Sequence, residues 1–295
     1  MTMQNQPQQQ EHLQKTDNIE IAIIGIRKYE FLKSLKSENL TEEQKKQIEV
    51  YESKQRFVTP EQIEKQNTYF DKILQPKPVK KFTISAKVLW ELFKSNFQIV
   101  NNRPFIKIEG VTIKNLEPLI YYFSNDNRFF ECENLSKISE PSFEKGLLII
   151  GNYGNGKTST MKVFEKIFKG IPEIGFKGYS ANEAVLMFEK CTGDEADILR
   201  KEFEKTMWKG IRYFDDLKTE RIASNFGKVN IFKEILEERY RLQSKTHITC
   251  NYKEDFENDL QAAIDEFGDK YGGRVWDRVY EMFNIIEFKG KSFRK

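Results

Sequence analysis

The sequence predicts an α/β protein, with a mostly parallel sheet flanked by helices and a smaller, mainly helical module ahead of it. Three observations carry this. From residue 147 onward, short apolar runs alternate with helix-length amphipathic stretches, which calls for a sheet covered on both faces. Gly151 to Thr158 read Gly-Asn-Tyr-Gly-Asn-Gly-Lys-Thr, a complete G-x-x-x-x-G-K-T loop between an apolar run and a helical pattern. A second apolar run, Ile211-Arg212-Tyr213-Phe214, ends in the paired acids Asp215 and Asp216.

Taken in order, residues 1–16 are rich in Gln and Asn without apolar periodicity and read as a disordered tail. Residues 17–75 read as a helical region. It opens on an apolar run at Ile21–Ile26, a strand or a docking segment, and has helix starts at Thr41 (Thr-Glu-Glu-Gln) and Pro60. Residues 76–114 read as a linker and small module. Two prolines and three lysines within Gln75–Lys81 disfavour regular structure. Val88, Leu89, Leu92 and Phe93 mark a helix over Ser85–Phe97, Phe105–Ile113 alternates like a strand or hairpin arm, and Asn115–Ser124 is helical.

The remaining domain, 115–295, carries the alternation. Strands are expected near Leu147–Ile150, Phe176–Tyr179, Ile211–Phe214, Thr246–Cys250 and Asn284–Phe288. Helices are expected near Ser159–Lys169, Asn182–Lys190, Asp194–Trp208, Asn230–Tyr240 and Asp269–Phe283. Few residues follow the last strand, which leaves no room for a C-terminal helical lid.

Composition excludes several classes. The chain has 295 residues, 39% hydrophobic and 32% charged, with a formal net charge of only +3, so charge balance alone does not advertise nucleic acid. Cys132, Cys191 and Cys250 are dispersed and His12 and His247 are the only histidines, which argues against structural zinc. Without a secretory leader or a membrane-length apolar run, the chain reads as cytoplasmic with free thiols and no membrane association.

The loop, Gly151, Asn152, Tyr153, Gly154, Asn155, Gly156, Lys157, Thr158 and then Ser159, predicts binding of a nucleoside triphosphate. Its backbone N–H groups curl around an anion at a helix N-terminus, Lys157 reaches the outer phosphates, and the Thr158 hydroxyl takes one position on Mg²⁺. Asp215 is assigned to the same metal ion and Asp216 to polarising the attacking water. Asn251 closes the run Thr246-His-Ile-Thr-Cys-Asn. It either faces the γ-phosphate or caps the next turn. Arg274 and Arg278 share one helix face, as a solvated helix or as an arginine finger to a neighbouring subunit. Arg294 lies in a basic tail, which is either a solvated terminus or folds back toward the phosphates. Lys162, Lys166, Lys169 and Phe164 are candidate DNA contacts, although a solvated lysine face and a core phenylalanine are the favoured readings.

Together these pieces resemble AAA+ ATPases of the DnaC/IstB type, the bacterial and phage helicase loaders and transposition helper ATPases. The resemblance runs through Gly151–Thr158, Tyr213–Glu220, Leu236–Tyr240, Thr246–Asn251, Gly273–Val279 and Gly290–Arg294. It implies ATP and Mg²⁺ as ligands, Asn251 as a sensor, Arg278 as the arginine finger and Arg294 as a second sensor. It also implies homo-oligomers on ATP binding, a replicative helicase or a transposase as partner, and single- or double-stranded DNA nearby. An IstB-like regulator and a P-loop kinase are the alternatives to a loader. Lys218 departs from the family, which commonly has Gly there, and the first half of the chain matches no loader's N-terminal domain.

Overall fold

The computed structural model describes residues 24–55, 64, 68, 82–224 and 227–294. Contacts divide the chain into two compact units, Met1–Lys80 and Lys81–Lys295. The tail at 1–16, residues 21–23 of the first apolar run, the Pro60 start and the Gln75–Lys81 linker lie outside the described residues.

The first unit contains helices α1 (Ile26–Ser34) and α2 (Glu42–Gln55). α2 starts where the capping box predicts: Thr41 Oγ1 accepts from Gln44 N at 3.3 Å, and Gln44 Oε1 accepts from Thr41 N at 2.9 Å. The two helices meet through Tyr29 and Tyr51, whose rings stack 4.4 Å apart.

The second unit is built on a five-stranded, all-parallel sheet in the order β2-β3-β6-β1-β7. Its strands are β1 (Gly146–Gly151), β2 (Lys177–Ser180), β3 (Arg212–Leu217), β6 (Thr246–Cys250) and β7 (Phe283–Phe288). β4 (Ala223–Ser224) and β5 (Lys228–Val229) form a separate short antiparallel pair. All five expected strands are present, with β3 running on through the acid pair. The fold class read from the sequence is the one observed.

Both faces of the sheet are covered, as the continuous apolar runs require. Leu147 and Ile149 point into one layer with α3 (Ala86–Asn101), α4 (Lys114–Phe123) and α5 (Lys157–Ile167). Leu148 and Ile150 point into the other with α6 (Ala181–Glu189), α7 (Ala196–Trp208), α8 (Ile231–Arg241), α9 (Leu260–Tyr271) and α10 (Gly273–Met282). The first layer is strongly aromatic. Phe93, Phe123, Phe164 and Phe168 touch ring to ring, and each buried ring contributes roughly 1.5–3 kcal/mol. Sequence reading placed the ATPase domain at 115–295; α3 nonetheless packs in this layer and belongs to the Lys81–Lys295 unit.

Three local expectations are corrected. α3 forms with Ser85 as its cap, but its buried stripe is Leu89, Phe93 and Phe97, while Val88 and Leu92 face outward. Phe105–Ile113 is not a strand. The Thr112 hydroxyl donates to Ile106 O and accepts from Ile108 N, which winds Glu109–Ile113 into a wide helical turn. The helix expected over Asp269–Phe283 takes in only the last turn of α9, whose start at Leu260 was not expected, and then α10, because Gly272 at φ +91° breaks the run between them.

Candidate functional site

β1 delivers the loop and α5 receives it. Every residue of β1 is buried, so the strand is a fixed rail whose carboxyl end presents Gly151 to the cleft. Gly154 adopts φ +74°, a backbone that glycine takes most easily, and a Cβ there would lie 2.2 Å from Ser292 Oγ, so the C-terminal segment comes close against the loop. That segment is strapped to the loop. Phe293 N donates to Gly154 O at 3.0 Å, and Asn155 Nδ2 donates to Phe288 O at 2.7 Å.

Lys157 opens α5 and is 6% exposed. Its ammonium donates to Gly151 O (2.7 Å), Asn152 O (2.9 Å), Asn155 Oδ1 (3.3 Å) and Asn251 Oδ1 (3.0 Å). Burial lowers its pKa to about 8, against smaller upward pulls led by Cys250, Asp216 and Asp215. Thr158 donates its hydroxyl to Asp215 Oδ1 at 2.9 Å, so the loop and the acid strand already meet.

The pairing of β3 with β6 shifts register between Phe214 and Leu217, which bulges the acid pair out of the ladder. Asp216 takes φ +58°, and its N–H bonds to Thr249 Oγ1 at 3.1 Å. Asp215 Oδ1 also accepts from Thr249 Oγ1 at 2.6 Å and from the Tyr213 hydroxyl, while among the described residues its second oxygen has no hydrogen-bond donor. Asn251 Nδ2 donates to Asp216 Oδ1 at 2.8 Å. One amide thus links the buried lysine to the second acid, and the Asn251 side chain turns into the cleft instead of capping the following turn.

Lys218 also adopts positive φ, +79°, the backbone a glycine would take there more easily. The lysine is held by neighbours instead: its N–H bonds to Tyr271 OH at 3.2 Å, and its ammonium pairs with Glu266.

A cleft of about 290 Å³ is lined by the loop residues Tyr153 to Ser159 with Arg103, Asp215, Asp216, Thr249, Asn251 and Arg294. Beside it, an apolar cavity of about 160 Å³ is lined by Phe97, Pro104, Phe105, Ile106, Phe288 and Phe293, with Gly156 and Thr160. The structure therefore gathers the loop, both acids, Asn251 and Arg294 in one place. Arg294 folds back beside the loop, with its Cδ within 3.4 Å of a Cβ placed on Gly154. Arg278 is not among the residues of that cleft; its guanidinium lies 4.3 Å above the ring of Tyr240. Arg274 is exposed. Phe164 is fully buried in the aromatic layer, whereas Lys162, Lys166 and Lys169 are exposed along a groove of about 770 Å³ shared with Lys177 and Arg212.

Three contributors escaped the sequence reading. Tyr213 and Thr249 lie two positions before Asp215 and Asn251 on their strands, hence on the same faces, and that period of two is the signal that finds them. Arg103 had no such signal, because its segment was read as leading into a strand.

β6 lies between the loop strand and the acid strand and carries Asn251 just past its carboxyl end, where it meets Lys157. The fold is an α/β sheet with a phosphate-binding loop at the carboxyl end of β1. No known family's model matches the chain, and no curated protein matches it. Among solved structures, the DnaC helicase loader is similar with a TM-score of 0.44 at 18% identity, over 66% of this chain and 99% of that one. DnaI is similar with a TM-score of 0.41 at 18% identity, over 68% and 94%. AMPPCP-bound DnaA from Aquifex aeolicus gives 0.37 at 17%, over 63% and 48%. At these scores the similarity carries no argument, and the reading of the site stands on this chain's own sheet order and loop. Among the described residues no group of three or more His, Cys, Asp or Glu side chains is placed to hold a metal ion, and no helix is long and apolar enough to cross a membrane.

Proposed function

We propose that the chain is an ATP-binding and ATP-hydrolysing AAA+ switch that loads or remodels a DNA-replication machine, in the manner of a helicase loader. The observation that carries the ATPase part is the bridge from Lys157 through Asn251 to Asp216, which joins the phosphate-binding charge to the acid that would polarise water. Lys157 supports the outer phosphates, and the apolar cavity beside Gly156 and Thr160 suits the base.

Thr158 and Asp215 would hold Mg²⁺. The donor set fits, being one hydroxyl and one carboxylate with an oxygen to spare, and a hard cation of this kind takes its remaining ligands from phosphates and water. When bound, the ion neutralises charge on the β- and γ-phosphate oxygens. Asp216 takes a proton from the attacking water, and Asn251 holds that carboxylate in place relative to Lys157. The role in loading rests on the ordered motif set from Gly151 to Arg294. Partner choice is assigned to residues before the loop.

Arg278 acts on a neighbouring copy of the chain, since it lies outside the cleft of its own. Sedimentation velocity with a non-hydrolysable ATP analogue, with and without single-stranded DNA, should show nucleotide-dependent assembly. Arg278→Ala should bind ATP normally and lose hydrolysis that rises with protein concentration. A specific activity independent of concentration, or a variant that hydrolyses normally, would remove the finger role.

A further inference from the structure

We propose that Arg103 binds nucleotide, with its guanidinium on the α-phosphate, in the same chain that supplies the loop. This rests on the nucleotide-binding reading above and adds to it a residue that no motif marks.

The placement is built by the end of α3. The helix stops at Asn102, whose left-handed backbone (φ 53°, ψ 28°) turns the chain toward the start of α5. Asn101 Nδ2 pins that turn, donating to Phe97 O at 3.2 Å and to Ser159 O at 3.3 Å. Arg103 then reaches the first turn of α5, where its Nη2 donates to Ser159 Oγ at 2.9 Å.

Position identifies the phosphate. Arg103 borders both concavities: the polar cleft with Lys157 and Asn251, and the apolar cavity with Pro104 and Phe105. A base in the apolar cavity and outer phosphates at Lys157 leave the α-phosphate, which joins the two, at the seam. Lys157 and the acid pair already serve the outer end.

Charge points the same way. Among the described residues the Arg103 guanidinium has no carboxylate partner, and one neutral hydroxyl occupies only one of its five N–H groups. A planar fork with unused donors beside a phosphate-binding loop matches two phosphate oxygens at once.

The test is calorimetric titration of the full chain, wild type, Arg103→Ala and Arg103→Lys, with ATP and with ADP. Arg103→Ala should weaken both nucleotides by the same factor, roughly tenfold to a hundredfold, because both carry the α-phosphate. Arg103→Lys should fall between, keeping the charge and losing the fork. Unchanged affinity in Arg103→Ala overturns the proposal, and so does a loss confined to ATP, which would move the contact to the γ-phosphate. The thermal midpoint without nucleotide is the second readout. It should not move, and a clear fall would make the arginine a clamp between α3 and α5. A wild-type chain that binds neither nucleotide would instead sink the nucleotide reading itself, a result distinct from failure at Arg103.

Discussion

Arg239 and Lys157 are buried cations at opposite ends of one sheet, and they are held in different ways. Arg239, at the amino ends of β3 and β6, is fully buried, and its guanidinium donates to Thr246 Oγ1, Met207 O, Gly210 O and Lys245 O at 2.7–2.8 Å. Lys157, at the carboxyl end of β1, donates to two loop carbonyls and two asparagine side chains. Burial depresses both, Arg239 to about 9 and Lys157 to about 8. A guanidinium that ties four separate backbone and side-chain oxygens has fixed the chain around itself. An ammonium held by a glycine-rich loop and by amides can exchange those partners for phosphate oxygens.

Backbone strain occurs at both edges. Asp216 and Lys218 carry positive φ at the carboxyl edge, a cost of order 1–3 kcal/mol each that packing must offset. Gln243, just before β6 at the amino edge, also has positive φ (+50°), and the polar groups around that edge are paired. Asn284 bridges Ser142 in both directions at 2.8 Å, and Ser139 Oγ donates to Phe283 O at 2.9 Å. A sheet of this kind separates stability from chemistry along the direction of its strands.

Replacing each cation is the sharpest way to break that comparison. Lys157→Ala should weaken ATP binding at least a hundredfold by calorimetry, because several phosphate contacts and a buried charge go together, while the thermal midpoint holds or rises. Retained affinity would remove the site assignment. Arg239→Ala should do the reverse. Several buried carbonyls lose their donor, so unfolding in urea should show a loss of about 3–5 kcal/mol with ATP affinity unchanged in the folded protein. A variant of Arg239 that keeps its stability and loses ATP would erase the distinction between the two edges.

How much of this was legible in the sequence differs between the edges in the same way. The loop, Asp215, Asp216 and the strand ending at Asn251 announce themselves because phosphate chemistry restricts residue type and spacing. The five strands followed from apolar runs of the right length, whereas their order in the sheet did not. What Arg239 does was invisible, since its partners are mostly backbone carbonyls and any residue supplies those. Arg103 was hidden for a related reason: it is distant in sequence from the loop and is brought there by the end of a helix. Most of α9 was missed, and its last turn was merged with α10 across Gly272-Gly273, because glycine in a helical pattern can be tolerated.

His247 sharpens the picture of the layer beneath the site. It is fully enclosed by Tyr122, Phe123 and Phe176, and its Nδ1 accepts from Leu147 N at 3.2 Å, so the ring is neutral. Burial, with Lys245 and Arg239 adding to it, lowers its pKa to about 3. Below the ordinary value near 6.5 the unfolded chain takes up a proton that the folded chain does not. Stability should therefore fall as pH drops from about 6.5, by about 2 kcal/mol at pH 5. His247→Gln, which can accept the same bond without titrating, should lose up to one proton of that slope in urea unfolding measured across the range. An unchanged slope would mean that other groups carry the acid sensitivity.

The smallest effect separates a binding charge from a structural one within the site itself. With its pKa at about 8, Lys157 begins to lose its proton at a pH where an ordinary lysine is still fully charged. A bound triphosphate favours the charged form, so binding in this range takes up a proton. Apparent ATP affinity should be flat below pH 7 and fall about tenfold by pH 9, and calorimetry in buffers of different ionisation enthalpy should report the uptake directly. Arg239, being outside the cleft, contributes nothing to that profile, so an Arg239 variant still folded at pH 9 should reproduce it. Affinity that is flat through pH 9 would mean that the loop already holds Lys157 fully charged, in which case the contacts to Gly151 O, Asn152 O and Asn251 Oδ1 stabilise the ammonium more than burial opposes it.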